Sequence, residues 1–352
     1  MLKKRPSLKR TPLETVPGVF PAGARIMLIG QAPADVELLE GYPFAGPSGA
    51  ELNVWLARAG IRRQAVAITN VFSRPLPETG LAGITDGKQT ELKLHPIARG
   101  RYLRPEWNEL PRLDEEVRSV APHLIIALGA EALWATHGTY EIGRNRGAFY
   151  VSRQGPKAIS TYHPSYVLRA QRRPRNICIA DMIKAARAAE TPALSWPERW
   201  LWMAPTLAEL WEFKEKYLDG AERIFVDIET DPYKLRQITS VGFAPSPFVG
   251  VCVPFSFKLK SYWPTAEEEA DAIRFVRAVC ELPAHKALQN GLYDAQWLWT
   301  EWKVRVRHYD HDTRLLHHAI LPEMPKDLGF IGSLWADEAA WKLYGHSEKS
   351  DD

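Results

Sequence analysis

The chain has 352 residues, 45% hydrophobic and 25% charged, with 27 Pro, 23 Gly and three Cys; this composition excludes collagen, coiled coil and wholesale disorder and leaves room for two domains. The net charge of +3 hides a division, because residues 1–195 carry 27 Lys and Arg against 17 Asp and Glu, whereas residues 196–352 carry 18 against 25. A basic half suits a polyanion held by counterion release, and an acidic half can still meet nucleic acid if its carboxylates hold divalent cations.

The basic start of the chain (Lys3, Lys4, Arg5, Lys9, Arg10) is not followed by an apolar core, and no apolar run reaches the roughly 18 residues of a membrane span. A cytoplasmic protein without a membrane partner is expected. Cys178, Cys252 and Cys280 lie far apart with no C-x-x-C spacing, so buried free thiols are expected. Short apolar runs at 25–30, 65–69, 124–128 and 157–161 read as buried strands. Amphipathic stretches at 48–59, 109–121, 130–137 and 165–188 read as the helices between them. Strands that alternate with helices imply an α/β fold with a four-stranded parallel sheet, whose functional groups collect at the carboxyl ends of the strands. Residues 75–108, rich in Pro, Gly and charge, read as a long loop.

Thr191-Pro192 and Ser195-Trp196-Pro197 interrupt the pattern and mark a linker over 191–205. Beyond it the spacing predicts a helix at 206–217, strands at 223–229, 236–243 and 248–254, and helices near 265–281, 293–302 and 312–320. The expected organisation is a basic tail over 1–19, a first domain over 20–190, and a second domain over 206–352.

Three strand ends in the first half carry polar or glycine-rich residues: Gly30-Gln31-Ala32-Pro33, Asn70, and Tyr162-His163-Pro164-Ser165. Asn70 offers an amide that donates and accepts at once, which suits an imide edge. Phe44 precedes a helix, and His163 precedes another that ends in Arg169, Arg172, Arg173 and Arg175. Taken singly, each has a plain structural reading as a cap, a turn or a core ring.

Their order carries more. GQAPA (30–34), GYPFAG (41–46), NVFSRP (70–75), ALG (127–129) and HPSYVLR (163–169) together resemble the uracil-DNA glycosylase superfamily, most closely its family 4 type and phage relatives. The resemblance implies that uracil is flipped out of DNA and excised, with Phe44 stacking on the base and Asn70 and Gly30 binding it. It implies that His163 donates to O2 of the leaving uracil, and that Ser165, Arg169, Arg172 and Arg173 contact DNA. Gln31 stands where that family has Glu, so Asp35 or Glu37 is the alternative for handling the attacking water; otherwise the domain is a non-catalytic uracil sensor. Ser73 stands at a position of a family cysteine, and no iron–sulfur cluster is expected.

In the second half Asp227 and Glu229 lie two apart on a strand and so share a face. Asp294 follows in N-G-L-Y-D, and Asp312 opens the next helix. Oxygen donors of this kind suit Mg2+ or Mn2+. The order of D-I-E-T, N-x-x-x-D and H-D-T, followed by LPEMPKDLGFIGSLW (321–335), resembles the 3′–5′ exonuclease domain of A-family phage DNA polymerases, an RNase H-like fold. The resemblance implies metal ligation by Asp227, Glu229 and Asp294. It also implies a last Tyr-x-x-x-Asp helix that this chain lacks, for which Tyr344 and Glu348 are a poor substitute. A separate DNA polymerase chain is the expected partner besides DNA.

Overall fold

The computed structural model describes residues 12–98, 100–231, 237–258 and 260–340. Tyr344, Glu348 and the basic cluster of the N-terminus lie outside the described residues. The chain divides into two compact units, one of residues 1–195 with 329–352 and the other of residues 196–328.

The first unit is built on β1 (Ile26–Gly30), α1 (Asp35–Glu40), α2 (Pro47–Arg58), β2 (Ala67–Asn70), α3 (Leu110–Val120), β3 (Leu124–Leu128), α4 (Ala130–His137), α5 (Ile142–Asn145), β4 (Phe149–Val151), β5 (Lys157–Thr161), α6 (Pro164–Arg169) and α7 (Arg175–Ala188). The sheet runs β2-β1-β3-β5-β4, parallel except at β4, which pairs antiparallel with β5. Both faces are covered, and period-two alternation sorts each strand between them. Met27, Ile29, Ile125 and Ala127 pack with Trp134 and Phe72 on one side. Leu28, Ile126, Leu128 and Ile159 pack with Trp55 and Met182 on the other.

Two expectations need correction here. The sheet has five strands, because Phe149–Val151 doubles back on β5 as a three-residue edge too short to stand out from sequence. The single helix expected over 165–188 is broken, since Gln171 and Arg172 take positive φ (52° and 63°) just before Pro174, a combination that no helix carries through. The 75–108 stretch does lack long elements, with a two-residue pairing of Thr85–Asp86 and Tyr102–Leu103 at its centre.

The second unit holds β6 (Trp200–Trp202), α8 (Leu207–Phe213), β7 (Arg223–Asp231), β8 (Gln237–Ser246), β9 (Val249–Pro254), α9 (Ala266–Glu281), β10 (His285–Leu288), α10 (Leu292–Trp302), β11 (Tyr309–Asp312) and α11 (Thr313–Ile320). Its mixed sheet runs β11-β10-β7-β8-β9-β6. Thr206 with Glu209, and Thr265 with Glu268, form reciprocal capping boxes that start α8 and α9. Along β7, Ile224, Val226 and Ile228 are buried while Phe225, Asp227 and Glu229 face outward.

A last helix, α12 (Leu328–Trp335), begins at the unit boundary. The expected second domain ran to 352, but residues 329–338 pack on the first unit, where the buried Lys184 takes up two of their backbone carbonyls. Among the described residues no helix is long and apolar enough to cross a membrane.

Candidate active site

The turn after β1 sets the site. Gly30 ends the strand with its Cα against two other motifs: a Cβ there would stand 2.3 Å from Asn70 Oδ1 and 2.6 Å from the Phe44 ring. Only glycine permits that approach. Asn70, at the end of the neighbouring β2, is 5% exposed. Phe44 is buried and takes a left-handed conformation (φ 56°), a costly one for an aromatic residue.

Several contacts hold that conformation. Arg63 Nη2 donates to the carbonyls of Pro43 (3.0 Å) and Phe44 (3.1 Å) while Nη1 reaches Asn53 at 2.9 Å. Gly49 gives the Phe44 carbonyl room, since a Cβ there would lie 1.7 Å from it. Glu37, buried in α1, accepts from Ala34 N–H (3.1 Å) through Oε2 and from Gly46 N–H (3.2 Å) through Oε1. Its carboxylate therefore ties the GQAPA turn to the PFAG loop. Asp35 is exposed in the first turn of α1, and Gln31 is half-buried, its carbonyl accepting the Phe72 N–H at 3.0 Å.

His163 caps α6 and approaches from the end of β5. Its ring centroid lies 5.6 Å from that of Phe44, with the planes 31° apart. Gly129, at φ 93°, packs beneath it, and a Cβ there would come within 3.0 Å of His163 Cβ. Nδ1 faces the Ser165 hydroxyl at 2.8 Å and accepts the Ser165 backbone N–H at 3.1 Å. A nitrogen that accepts an N–H bond carries no proton, so the neutral ring holds its proton on Nε2. Burial, with the positive charge of Arg169 adding to it, pushes the His163 pKa down to about 4. Phe44, Gly30, Asn70 and His163 are thus brought together, with Phe44 as the shared neighbour.

The basic residues after His163 divide. Ser165 serves His163 directly. Arg169 and Arg173 are exposed. Arg172 lies 3.8 Å from the buried Glu51 carboxylate, and Arg175 pairs with the same carboxylate through Nε at 2.6 Å. Those bonds hold the Glu51 pKa below its ordinary value.

Arg112 was not singled out from sequence, yet it holds the end of β2. Its Nη2 donates to the carbonyls of Asn70 (2.8 Å) and Val71 (2.9 Å), its Nη1 to Glu116 at 2.6 Å and its Nε to Glu109 at 3.0 Å. Glu116 also accepts from Thr69 Oγ1, and Glu109 from the Ser73 N–H, both at 2.8 Å. The signal was present as Glu109, Arg112 and Glu116 at three- and four-residue spacings on one helix.

The acidic residues of the second unit lie on three elements, β7, α10 and β11. Asp227 and Glu229 share the outward face of β7. Asp294 is buried, its Oδ1 accepting the Ile228 N–H at 3.0 Å, and its pKa is raised to about 6 chiefly by burial, with the Asp227 charge adding to it. Asp312 caps α11, accepting N–H bonds from Gly291 (2.9 Å) and Arg314 (2.8 Å). Among the described residues no three His, Cys, Asp or Glu side chains converge to hold a metal ion. Beside Asp227 lies instead a cavity of about 360 Å³ lined by Leu201, Met203, Phe225, Phe243 and Leu328. The expected Mg2+ or Mn2+ set of Asp227, Glu229 and Asp294 therefore finds no support among the described residues.

A family model described as the uracil DNA glycosylase superfamily matches residues 17–187. The type-4 uracil-DNA glycosylase of Archaeoglobus fulgidus is 32% identical over 169 residues, 46% of this chain and 75% of that protein. The type-4 enzyme of Thermotoga maritima is 31% identical over 164 residues, 46% of this chain and 76% of its own length. The type-4 enzyme of Pyrobaculum aerophilum is 32% identical over 163 residues. The matched span holds the whole Gly30, Phe44, Asn70 and His163 constellation, and the chain belongs to the uracil-DNA glycosylase superfamily.

Proposed function

We propose that the first unit excises uracil from DNA by hydrolysing the bond between N1 of the base and C1′ of the sugar. As that bond breaks, its electron pair passes to the uracil ring and spreads over N1 and O2, while the oxygen of water bonds to C1′ and the water proton neutralises the departing base. A fixed donor at O2 stabilises the developing charge, a contribution of about 2.7–4 kcal/mol for an oxyanion-type donor. The observation that carries this reading is the His163 tautomer: Ser165 N–H on Nδ1 leaves Nε2–H as the donor. Asn70 pairs with the imide edge, Phe44 stacks on the flipped base, and the exposed Arg169 and Arg173 grip phosphates without reading sequence.

One observation favours a second reading, a uracil-sensing module without turnover. Glu37 is committed to two backbone N–H groups and Gln31 offers no carboxylate, which leaves Asp35 as the acid nearest the turn in sequence. Incubation with a single-uracil oligonucleotide followed by alkali separates the two: a nick at the uracil supports excision, and binding without a nick supports the sensor.

In this reading the second unit is an exonuclease-like domain of the A-family polymerase type that does not cleave, in a phage replication or repair setting with a separate DNA polymerase chain as partner. The D-x-E pair on the outward face of β7 supports the kinship. An excess of polymerase that gains no affinity from the second unit in a pull-down counts against the partnership.

A further inference from the structure

Residues 329–338 are held by charges that the excision chemistry does not use. Lys184 on α7 is 4% exposed, and its Nζ donates to the carbonyls of Gly147 (2.6 Å), Ser333 (3.1 Å) and Ala336, with Asp337 Oδ1 at 3.9 Å. Arg146 is 2% exposed; it donates to the Ser333 hydroxyl and stacks 4.9 Å over the Phe330 ring. Phe149 N–H donates to the Glu338 carbonyl at 3.1 Å, so the same segment takes up a backbone donor of β4, and Ile331 is buried. Gly147 (φ 74°) admits the segment, since a Cβ there would stand 2.6 Å from the Ser333 carbonyl.

From this seat a buried polar chain runs to the site. Arg146 Nη1 pairs with Asp181 Oδ1 at 2.6 Å, and Asp181 Oδ2 accepts the Thr161 hydroxyl at 2.6 Å. Thr161 ends β5 two residues before His163, and its carbonyl accepts the N–H of Gly129, the glycine that packs beneath the imidazole. We propose that the C-terminal segment 329–338 is an integral part of the first unit, and that Arg146, Asp181 and Lys184 are positioning residues through which its seating holds the His163 end of β5. A buried cation with several carbonyl partners has a strong demand for them, because each lost partner leaves a group desolvated and unpaired. The segment beyond the second unit thus answers to the first. The link to turnover rests on the uracil-excision reading, whereas the seating itself does not.

The test uses the full chain with Ile331→Asp, which puts a charge in the buried contact, and with the milder Ser333→Ala. Amide hydrogen exchange is followed at Phe149, which reports the seat, and at Gly129, which reports the His163 end of β5; uracil release is measured alongside. The expected result for Ile331→Asp is about tenfold faster exchange at both amides and a kcat lowered about tenfold with KM nearly unchanged. Ser333→Ala is expected to move the same readouts in the same direction by less. Unchanged exchange at Phe149 in both variants overturns the seating. Faster exchange at Phe149 with Gly129 and kcat unmoved overturns the positioning role. If the wild-type chain releases no uracil, the excision reading fails, and the two amides alone decide this proposal. If Ile331→Asp does not fold, Ser333→Ala decides on the same readouts.

Discussion

His163 is kept neutral by its surroundings, and two consequences can be measured. Its folded pKa, about 4, lies below the ordinary histidine value, so between the two values the unfolded chain binds a proton that the folded chain does not. Folding stability from this group is complete above about pH 6.5 and is lost as pH falls toward 4, with a slope of up to about 1.4 kcal/mol per pH unit. Urea unfolding across that window is expected to show this slope, reduced in His163→Gln; identical slopes in the two proteins contradict the assignment. Gly30 makes a second prediction at this scale. In Gly30→Ala the methyl has no space between Asn70 Oδ1 and the Phe44 ring, so the variant is expected to lose about 1–3 kcal/mol of stability and nearly all uracil release. Retained release means that the Phe44 and Asn70 placement is unimportant to the chemistry.

At the scale of elements, the end of β2 depends on α3. Arg112 satisfies the carbonyls of Asn70 and Val71, and Arg112→Met is expected to destabilise the fold by about 1–3 kcal/mol through unpaired buried acceptors. Denaturant titration checks this, and a shift below about 0.5 kcal/mol, the scale of ordinary surface substitutions, contradicts it. The same elements show what the sequence makes legible. The strands Ile26–Gly30, Ala67–Asn70, Leu124–Leu128 and Lys157–Thr161 are readable because each is a short buried run with an apolar centre, covered on both faces. Trp200–Trp202, His285–Leu288 and Tyr309–Asp312 are not readable, because runs of three or four residues are too short to carry a period and owe their pairing to neighbours distant in sequence. In the site, motif order pointed to Phe44, Asn70 and His163, whereas Glu37 as a clamp and Arg112 as a brace depend on contacts that only tertiary structure creates. LPEMPKDLGFIGSLW reads as part of the second domain because it resembles the exonuclease domain of phage polymerases. Its last seven residues nonetheless pack on the first, since Lys184 and Arg146 need acceptors there.

For the whole molecule, the two halves differ in chemistry as well as charge. In the proposed reading the first offers neutral hydrogen-bond donors to a base, and among the described residues the second shows no group of three or more acids placed to hold an ion. Excision through His163 and Asn70 as proposed predicts that uracil release is unchanged by a chelator, and an exonuclease-like unit that does not cleave predicts that the purified chain with magnesium leaves a DNA 3′ end untrimmed; steady trimming shows the second-unit reading to be wrong. The central claim is that an aromatic ring, an amide and a neutral imidazole serve one everted pyrimidine. Single-turnover release of free uracil from a single-uracil oligonucleotide tests it most directly, with the intact chain set against Phe44→Ala, Asn70→Ala and His163→Ala. The account predicts release by the intact chain and a loss of about 10²–10³-fold in His163→Ala, with marked losses in the other two. Release by His163→Ala at the intact chain's rate contradicts it.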